Sequence, residues 1–198
     1  MNNRIVDFYF TYLSPYAFLA NSRIKKALEP LEVTLHYQPV AHTGTSDGPV
    51  FNETRYEHIV EEDVPRFAKQ YGLDFIPKPP LTESYTASMG FLYAQEKGLG
   101  EEFNELVFES RWSQGQDISQ LDVLADSAEQ VGLDRNDFLT AIKNPKYKER
   151  LLEIRQQAAD VGVFGAPTFI YEGKRFWGND RIESLIHEIT GEFDRRMT

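Results

Sequence analysis

Apolar and polar residues follow two different periods along this chain, and the order in which the periods change predicts its architecture. Residues 5 to 10 (Ile-Val-Asp-Phe-Tyr-Phe) are β-branched and aromatic, as a buried strand requires. Ser14-Pro15 follows as a capping residue and a proline at the first helical position, and apolar side chains at 16, 18, 19, 20, 24, 27 and 28 continue close to helical spacing. Glu32 to Val40 alternates like a strand and meets a break at Pro39. Strand, helix and strand make one right-handed βαβ unit.

Between Ala41 and Glu53 the composition changes to Gly, Thr, Ser, Asp and Pro, which predicts a loop across the top of the sheet, placed to touch a ligand. Residues 54 to 72 read as a helix that Pro65 should kink or divide and that Gly72 ends. Ile76-Pro77-Lys78-Pro79-Pro80 is a rigid linker. Helical spacing then runs over 83–97, 100–113, 119–131 and 134–143, with breaks at Gly98, Gly115, Gly132 and Asn144-Pro145, and again from about 146 to 161. The β pattern returns at Pro167-Thr-Phe-Ile-Tyr, turns at Glu172-Gly173, continues over Lys174-Arg-Phe-Trp and gives way to a last helix from about 180 to 190. The expected class is α/β: residues 1–50 and 162–198 form a sheet domain in two halves, βαβ and ββα, around an all-helical insertion at 51–161.

Charge and composition narrow the function. A formal net charge of −10 and no run of Lys or Arg work against nucleic acid and anionic membranes as partners. No stretch approaches 18 consecutive apolar residues, and the chain enters a strand at once, so a cytoplasmic location is expected. The four histidines (36, 42, 58 and 187) show no metal-ligand spacing, and no metal site is expected. With zero cysteines, the chain has no disulfide, no thiolate ligand and no sulfur nucleophile of its own.

Several residues admit two readings. Ser14 is a helix cap worth about 1 kcal/mol, yet a hydroxyl among the first N–H groups of a helix also stands where an anion or thiolate is stabilised. Pro167 opens a strand, where a trans peptide is the usual isomer in about 95% of cases. In Trp177-Gly178-Asn179-Asp180, Asn179 or Asp180 can serve as N-cap of the last helix. Trp112, Phe91, Tyr93 and Phe108 lie at helical spacing, the usual signature of core, although one or two can line a hydrophobic pocket.

Three segments together, Asp7-Phe-Tyr-Phe-Thr-Tyr-Leu-Ser-Pro-Tyr-Ala-Phe-Leu-Ala20, Gly162-Val-Phe-Gly-Ala-Pro-Thr168 and Phe176-Trp-Gly-Asn-Asp-Arg181, resemble the 2-hydroxychromene-2-carboxylate isomerase family, itself close to the kappa-class glutathione transferases. Asp63-Val-Pro-Arg-Phe-Ala68, Phe108 to Trp112 and Gly115-Gln-Asp-Ile-Ser119 extend the likeness over nearly the whole chain. The resemblance implies a thioredoxin-like fold with the helical domain inserted between its βαβ and ββα halves, and glutathione as cofactor. Ser14-Pro15-Tyr16-Ala17 then stands where thioredoxin-like oxidoreductases carry Cys-x-x-Cys, so disulfide exchange is excluded and Ser14 becomes the catalytic hydrogen-bond donor to the bound thiolate. By the same resemblance, the Ala166–Pro167 peptide is cis and Ala166 pairs with the peptide of glutathione. Trp177, Gly178, Asn179 and Asp180 hold its γ-glutamyl end, with Arg181 orienting Asp180. Asn52 and Trp112 are the expected contacts of the second reactant. Family isomerases also carry a lysine in the preceding loop, where this chain has His42-Thr43-Gly44-Thr45-Ser46-Asp47.

The implied activity is cis-trans isomerisation of a conjugated aromatic keto acid or related electrophile by reversible thiolate addition, in a homodimer. A kappa-like transferase shares every glutathione contact, and a catalytically silent binding protein on the same scaffold is the alternative from another class.

Overall fold

The computed structural model describes residues 4–41 and 53–192. Strand β1 (Arg4–Phe10) leads through a four-residue loop into helix α1 (Pro15–Leu28), and β2 (Val33–Pro39) returns parallel to β1, with Phe8 opposite Tyr37. Strands β3 (Thr168–Tyr171) and β4 (Lys174–Trp177) complete a four-stranded sheet in the order β2-β1-β3-β4, antiparallel where β1 meets β3 and where β3 meets β4. The tight β3–β4 hairpin rests on Glu172 and Gly173, both at positive φ (48° and 76°). The fold is thioredoxin-like, as the resemblance of the sequence implies.

Between β2 and β3 the described chain is helical. Helix α2 (Glu53–Glu57) passes into a wider π-helical stretch (His58–Asp63) and then α3 (Val64–Tyr71), closed by Gly72 at φ 70°. Pro65 has no N–H to give and disfavours a regular preceding turn; the π stretch absorbs the mismatch, with Val64 N–H bonding the Ile59 carbonyl. Helices α4 (Tyr85–Glu96), α5 (Gly100–Trp112), α6 (Leu121–Gln130), α7 (Arg135–Ala141) and α8 (Pro145–Asp160) follow.

Side chains set several of the starts. Asp134 accepts from Asn136 and Asp137 N–H, and Asn144 from Lys146 N–H. Glu83 takes the N–H groups of Tyr85 and Thr86, and Asp117 that of Ser119, so α4 and α6 begin two residues later than their apolar spacing predicts. The last helix also differs from expectation. Asn179–Arg181 is a 3₁₀ turn, α9 spans Ile182–Thr190, and neither Asn179 nor Asp180 caps it through its side chain, because both belong to the tighter turn that follows Gly178.

One hydrophobic core joins the sheet to the helices. Val6, Phe8 and Phe10 point from β1 to the same side, and a ring chain runs from Phe169 through Phe8 and Phe10 to Tyr12, Phe91 and Phe108, at centroid distances of 4.8–5.5 Å. The opposite face of the sheet carries a smaller cluster in which Tyr9 and Ile170 pack on Ala158 of α8. Among the described residues no helix is long and apolar enough to cross a membrane.

The helices pack closely at Gly90 of α4, where a Cβ would lie 2.8 Å from the Phe138 ring and 3.1 Å from that of Phe103. Both rings are fully buried, so they have little room to give way. Gly90→Ala is expected to destabilise the fold by about 1–3 kcal/mol in denaturant titration, against the gain in helix propensity; an unchanged midpoint would mean that the rings repack freely.

Candidate active site

Four elements converge on the loop Thr11 to Ser14. Ser14 has extended backbone angles (φ −93°, ψ 116°), and its Oγ accepts the Ala17 N–H at 3.2 Å while its carbonyl receives the Phe18 N–H at 3.1 Å. Its hydroxyl proton is donated to the Ala166 carbonyl, 2.9 Å away and 152 residues along the chain. The Ala166–Pro167 peptide is cis. Pro167's carbonyl accepts Gly178 N–H at 3.0 Å, so the segment that meets Ser14 is tied directly to the turn holding Asn179 and Asp180. The structure thus brings together Ser14, Ala166, Pro167, Gly178, Asn179 and Asp180, although they arise from opposite ends of the chain.

The neighbouring side chains hold this arrangement in different ways. Gly178 sits at φ 119°, and a Cβ there would collide with the Asp180 carboxylate, which folds back over it. Asp180 is about half exposed and pairs with Arg181 at 3.3 Å. Asn179 is buried, and its Oδ1 accepts from the Tyr71 hydroxyl at 3.3 Å. Tyr71 Oη in turn accepts from Arg23 at 2.8 Å, and the Arg23 guanidinium also covers the Tyr71 ring at 4.2 Å. Trp177 is half exposed, stands edge-on to exposed Phe164 at 5.0 Å, and lies so close to Gly165 that a Cβ there would meet its Nε1 at 2.6 Å.

Next to Ser14, the Tyr16 hydroxyl donates to Asp63 at 2.5 Å. Burial, that hydrogen bond and the Asp63 charge push the Tyr16 phenol well above its usual pKa; Asp180 adds to the rise and Arg55 opposes it. Tyr16 therefore remains protonated throughout the neutral range, a fixed donor that ties the start of α1 to the π stretch. The residues that sequence reading did not single out here are Tyr16, Asp63, Tyr71 and Arg23. Their partners are 47 to 108 residues away, and no local pattern announces them.

Trp112, expected at the wall of a substrate pocket, is 1% exposed, and its indole N–H is bonded to the Tyr12 carbonyl at 2.9 Å. Its ring stacks on Phe75 at 5.7 Å. It lies beneath the loop and positions it, because a buried indole must find an acceptor and the turning backbone offers one. Asn52 lies outside the described residues, as do His42 to Asp47. A surface hollow of about 350 Å³ lies beside the far end of α1, between Lys25, Leu28, Val33 and Glu101, remote from Ser14. Among the described residues no group of His, Asp and Glu is arranged to hold a metal.

Comparison with known proteins adds a family context to this geometry. Residues 5–190 match the model of the DSBA-like thioredoxin domain. The chain is 30% identical over 189 residues to a 2-hydroxychromene-2-carboxylate isomerase of Pseudomonas putida, covering 91% of this chain and 92% of the relative. It is similar to a solved structure of a 2-hydroxychromene-2-carboxylate isomerase, with a TM-score of 0.83, 28% identity and 97% of each chain covered. A probable DsbA oxidoreductase of Streptomyces coelicolor shares the fold at a TM-score of 0.79 and 16% identity, over 96% of this chain and 91% of that one.

Trp112→Phe keeps an aromatic ring against Phe75 but removes the donor to Tyr12 together with part of the indole's volume. It is expected to lower stability by about 1–3 kcal/mol and to accelerate amide exchange in residues 11 to 14; an unaltered exchange pattern would remove Trp112 from the positioning of the loop.

Proposed function

Because the chain belongs to the DSBA-like thioredoxin domain family and, within it, to the 2-hydroxychromene-2-carboxylate isomerases, we propose that it is a glutathione-dependent isomerase acting on a conjugated aromatic keto acid. One observation carries the reading: a serine hydroxyl, at the N-terminus of a 14-residue helix, faces the Ala166–Pro167 segment in a chain without a single cysteine. Such a site can stabilise a thiolate and cannot supply one.

The side chains and backbone present fit glutathione in their chemistry. The helix N-terminus and the Ser14 hydroxyl suit an anionic sulfur. The half-exposed Asp180 carboxylate suits an α-ammonium group, and Gly178, having no side chain, leaves room for that carboxylate to fold back beside it. Arg23 and Arg181 supply positive charge beside it. When bound, glutathione would supply the nucleophile that adds to a conjugated double bond and leaves again after rotation.

Ser14 has one proton to donate, and in the described state Ala166 holds it. Turning that proton from the Ala166 carbonyl toward a thiolate would exchange a neutral acceptor for a charged one, and Ala17 N–H would keep Oγ anchored during the turn. Tyr16, locked to Asp63, would hold the first turn of α1 in place while this happens. Asn179 and Tyr71 would keep the γ-glutamyl end rigid from below. The second reactant would then have to be held against the sulfur for addition to occur.

Calorimetric titration with glutathione should give saturable binding, and the absorbance of the bound thiolate should show its pKa lowered from the free value. Ser14→Ala should lose about 1 kcal/mol of helix-cap stability yet keep the fold, while turnover of aromatic keto acids falls to background; unchanged turnover would overturn the role of Ser14. Asp180→Ala should weaken glutathione binding by about 1.5–3 kcal/mol, and unchanged affinity would take Asp180 out of the site. Product analysis distinguishes isomerisation, which returns glutathione unchanged, from transfer, which retains the sulfur on the product.

A further inference from the structure

Asn179 carries an acceptor and a donor on one amide, and its neighbours fix which of them faces outward. The residue lies in the 3₁₀ turn after Gly178 and is 2% exposed. Its Oδ1 accepts from the hydroxyl of Tyr71, the last residue of α3, at 3.3 Å. Tyr71 Oη accepts in turn from Nη1 of Arg23, on α1, at 2.8 Å. Arg23 is held on its other side by Glu183 of α9 at 3.3 Å, and its guanidinium lies over the Tyr71 ring at 4.2 Å.

The direction of these bonds follows from counting protons. A guanidinium has donors only, so Tyr71 must accept from Arg23, and the single phenol proton is left for Asn179. The amide turned the other way would leave that proton without an acceptor in a part-buried site, which is costly. Arg23 and Tyr71 therefore turn the amide oxygen inward and Nδ2 away from them. Nδ2 has no hydrogen-bond partner among the described residues, yet it is not one of their sealed, unpaired polar atoms; the small part of Asn179 that solvent reaches includes it.

That donor opens beside the Ser14 site. Gly178, the residue before it, gives its N–H to the Pro167 carbonyl at 3.0 Å, and Ala166 holds the Ser14 proton at 2.9 Å. Asp180, the residue after it, presents a half-exposed carboxylate. A donor at 179 next to an acceptor at 180 matches the α-carboxylate and α-ammonium that a γ-glutamyl group carries on one carbon. A flipped amide would set Oδ1 beside the Asp180 carboxylate, and the two acceptors would repel an anion.

We propose that Tyr71 and Arg23 are positioning residues which, without touching the ligand, turn the Asn179 N–H toward the α-carboxylate of glutathione and so make the site select for that group. This rests on the glutathione-dependent reading above and assigns the residues that set the polarity of its γ-glutamyl subsite.

The test is calorimetric titration of the full chain with three tripeptides: glutathione, 4-aminobutanoyl-Cys-Gly, which lacks only the α-carboxylate, and glutaryl-Cys-Gly, which lacks only the α-ammonium group. Wild type is expected to bind glutathione at least about tenfold more tightly than the 4-aminobutanoyl peptide. Y71F should weaken glutathione and the glutaryl peptide by a common factor of about five to ten and leave the 4-aminobutanoyl peptide unchanged. N179D keeps an acceptor for Tyr71 but replaces the N–H donor by a second carboxylate oxygen, and should abolish the preference for glutathione. R23M, on the partly exposed side of the network, should act as Y71F does, and R23K, which still donates to the phenol, should retain most of the preference; this pair decides the matter if Y71F does not fold. An equal loss for all three peptides would be ordinary loosening of the turn, and a preference undiminished in Y71F and R23M would mean that the amide needs no positioning; either overturns the proposal. If wild type binds none of the three, the glutathione reading falls and this proposal with it, whereas tight glutathione binding with the preference intact in the variants removes the proposal alone.

Discussion

The hydrogen bond from the Trp112 indole to the Tyr12 carbonyl joins the two parts of the chain on which everything else depends. The β1–α1 loop has four residues in which to end a strand and start a helix, and its carbonyls cannot all be satisfied by the sheet. One of them is satisfied from α5, so the inserted helices support the loop from below. Around that bond the Phe10, Tyr12, Phe91 and Phe108 rings form a continuous contact between β1 and the helical block. Sheet and insertion consequently share a single core, and a change in the packing of α5 would be felt at Ser14.

Above the loop the arrangement is electrostatic. The N-terminus of α1 presents positive partial charge beside Ser14, while Tyr16 and Asp63 form a neutral-to-anionic pair at its flank. Asp180 with Arg181, and Asn179 with Tyr71 and Arg23, occupy the opposite side. The chain shares its fold with disulfide oxidoreductases but has no cysteine, and a hydroxyl at the head of α1 preserves the anion-stabilising geometry while removing redox chemistry from the protein itself. In the function proposed above, the same scaffold would position a sulfur belonging to a ligand.

Much of this was legible from local pattern, and for identifiable reasons. Strand β1, helix α1 and the breaks at Gly72, Gly98, Gly115 and Gly132 follow from periodicity and from the backbone freedom of glycine. Ser14 as a cap followed from Ser-Pro at the head of an apolar period, and the resemblance of three separated segments pointed to Ala166–Pro167 and Gly178 to Asp180 as its companions. The π stretch before Pro65 could be foreseen only as a kink, because the period does not say how a missing N–H is absorbed. The starts of α4, α6 and α9 were misplaced because Glu83, Asp117 and the turn after Gly178 compete with the helix for its first N–H groups.

By itself, the sequence determined the succession of elements, the absence of sulfur chemistry and the cap at Ser14, since all three depend on residue identity and near neighbours. Tertiary structure alone decided that Trp112 supports the loop instead of facing a ligand, and that Tyr16 is tied to Asp63 and Asn179 to Tyr71. Each of these is a meeting of polar atoms separated by many residues. Burial makes the outcome energetically important, and only the folded chain reveals which polar groups found a partner.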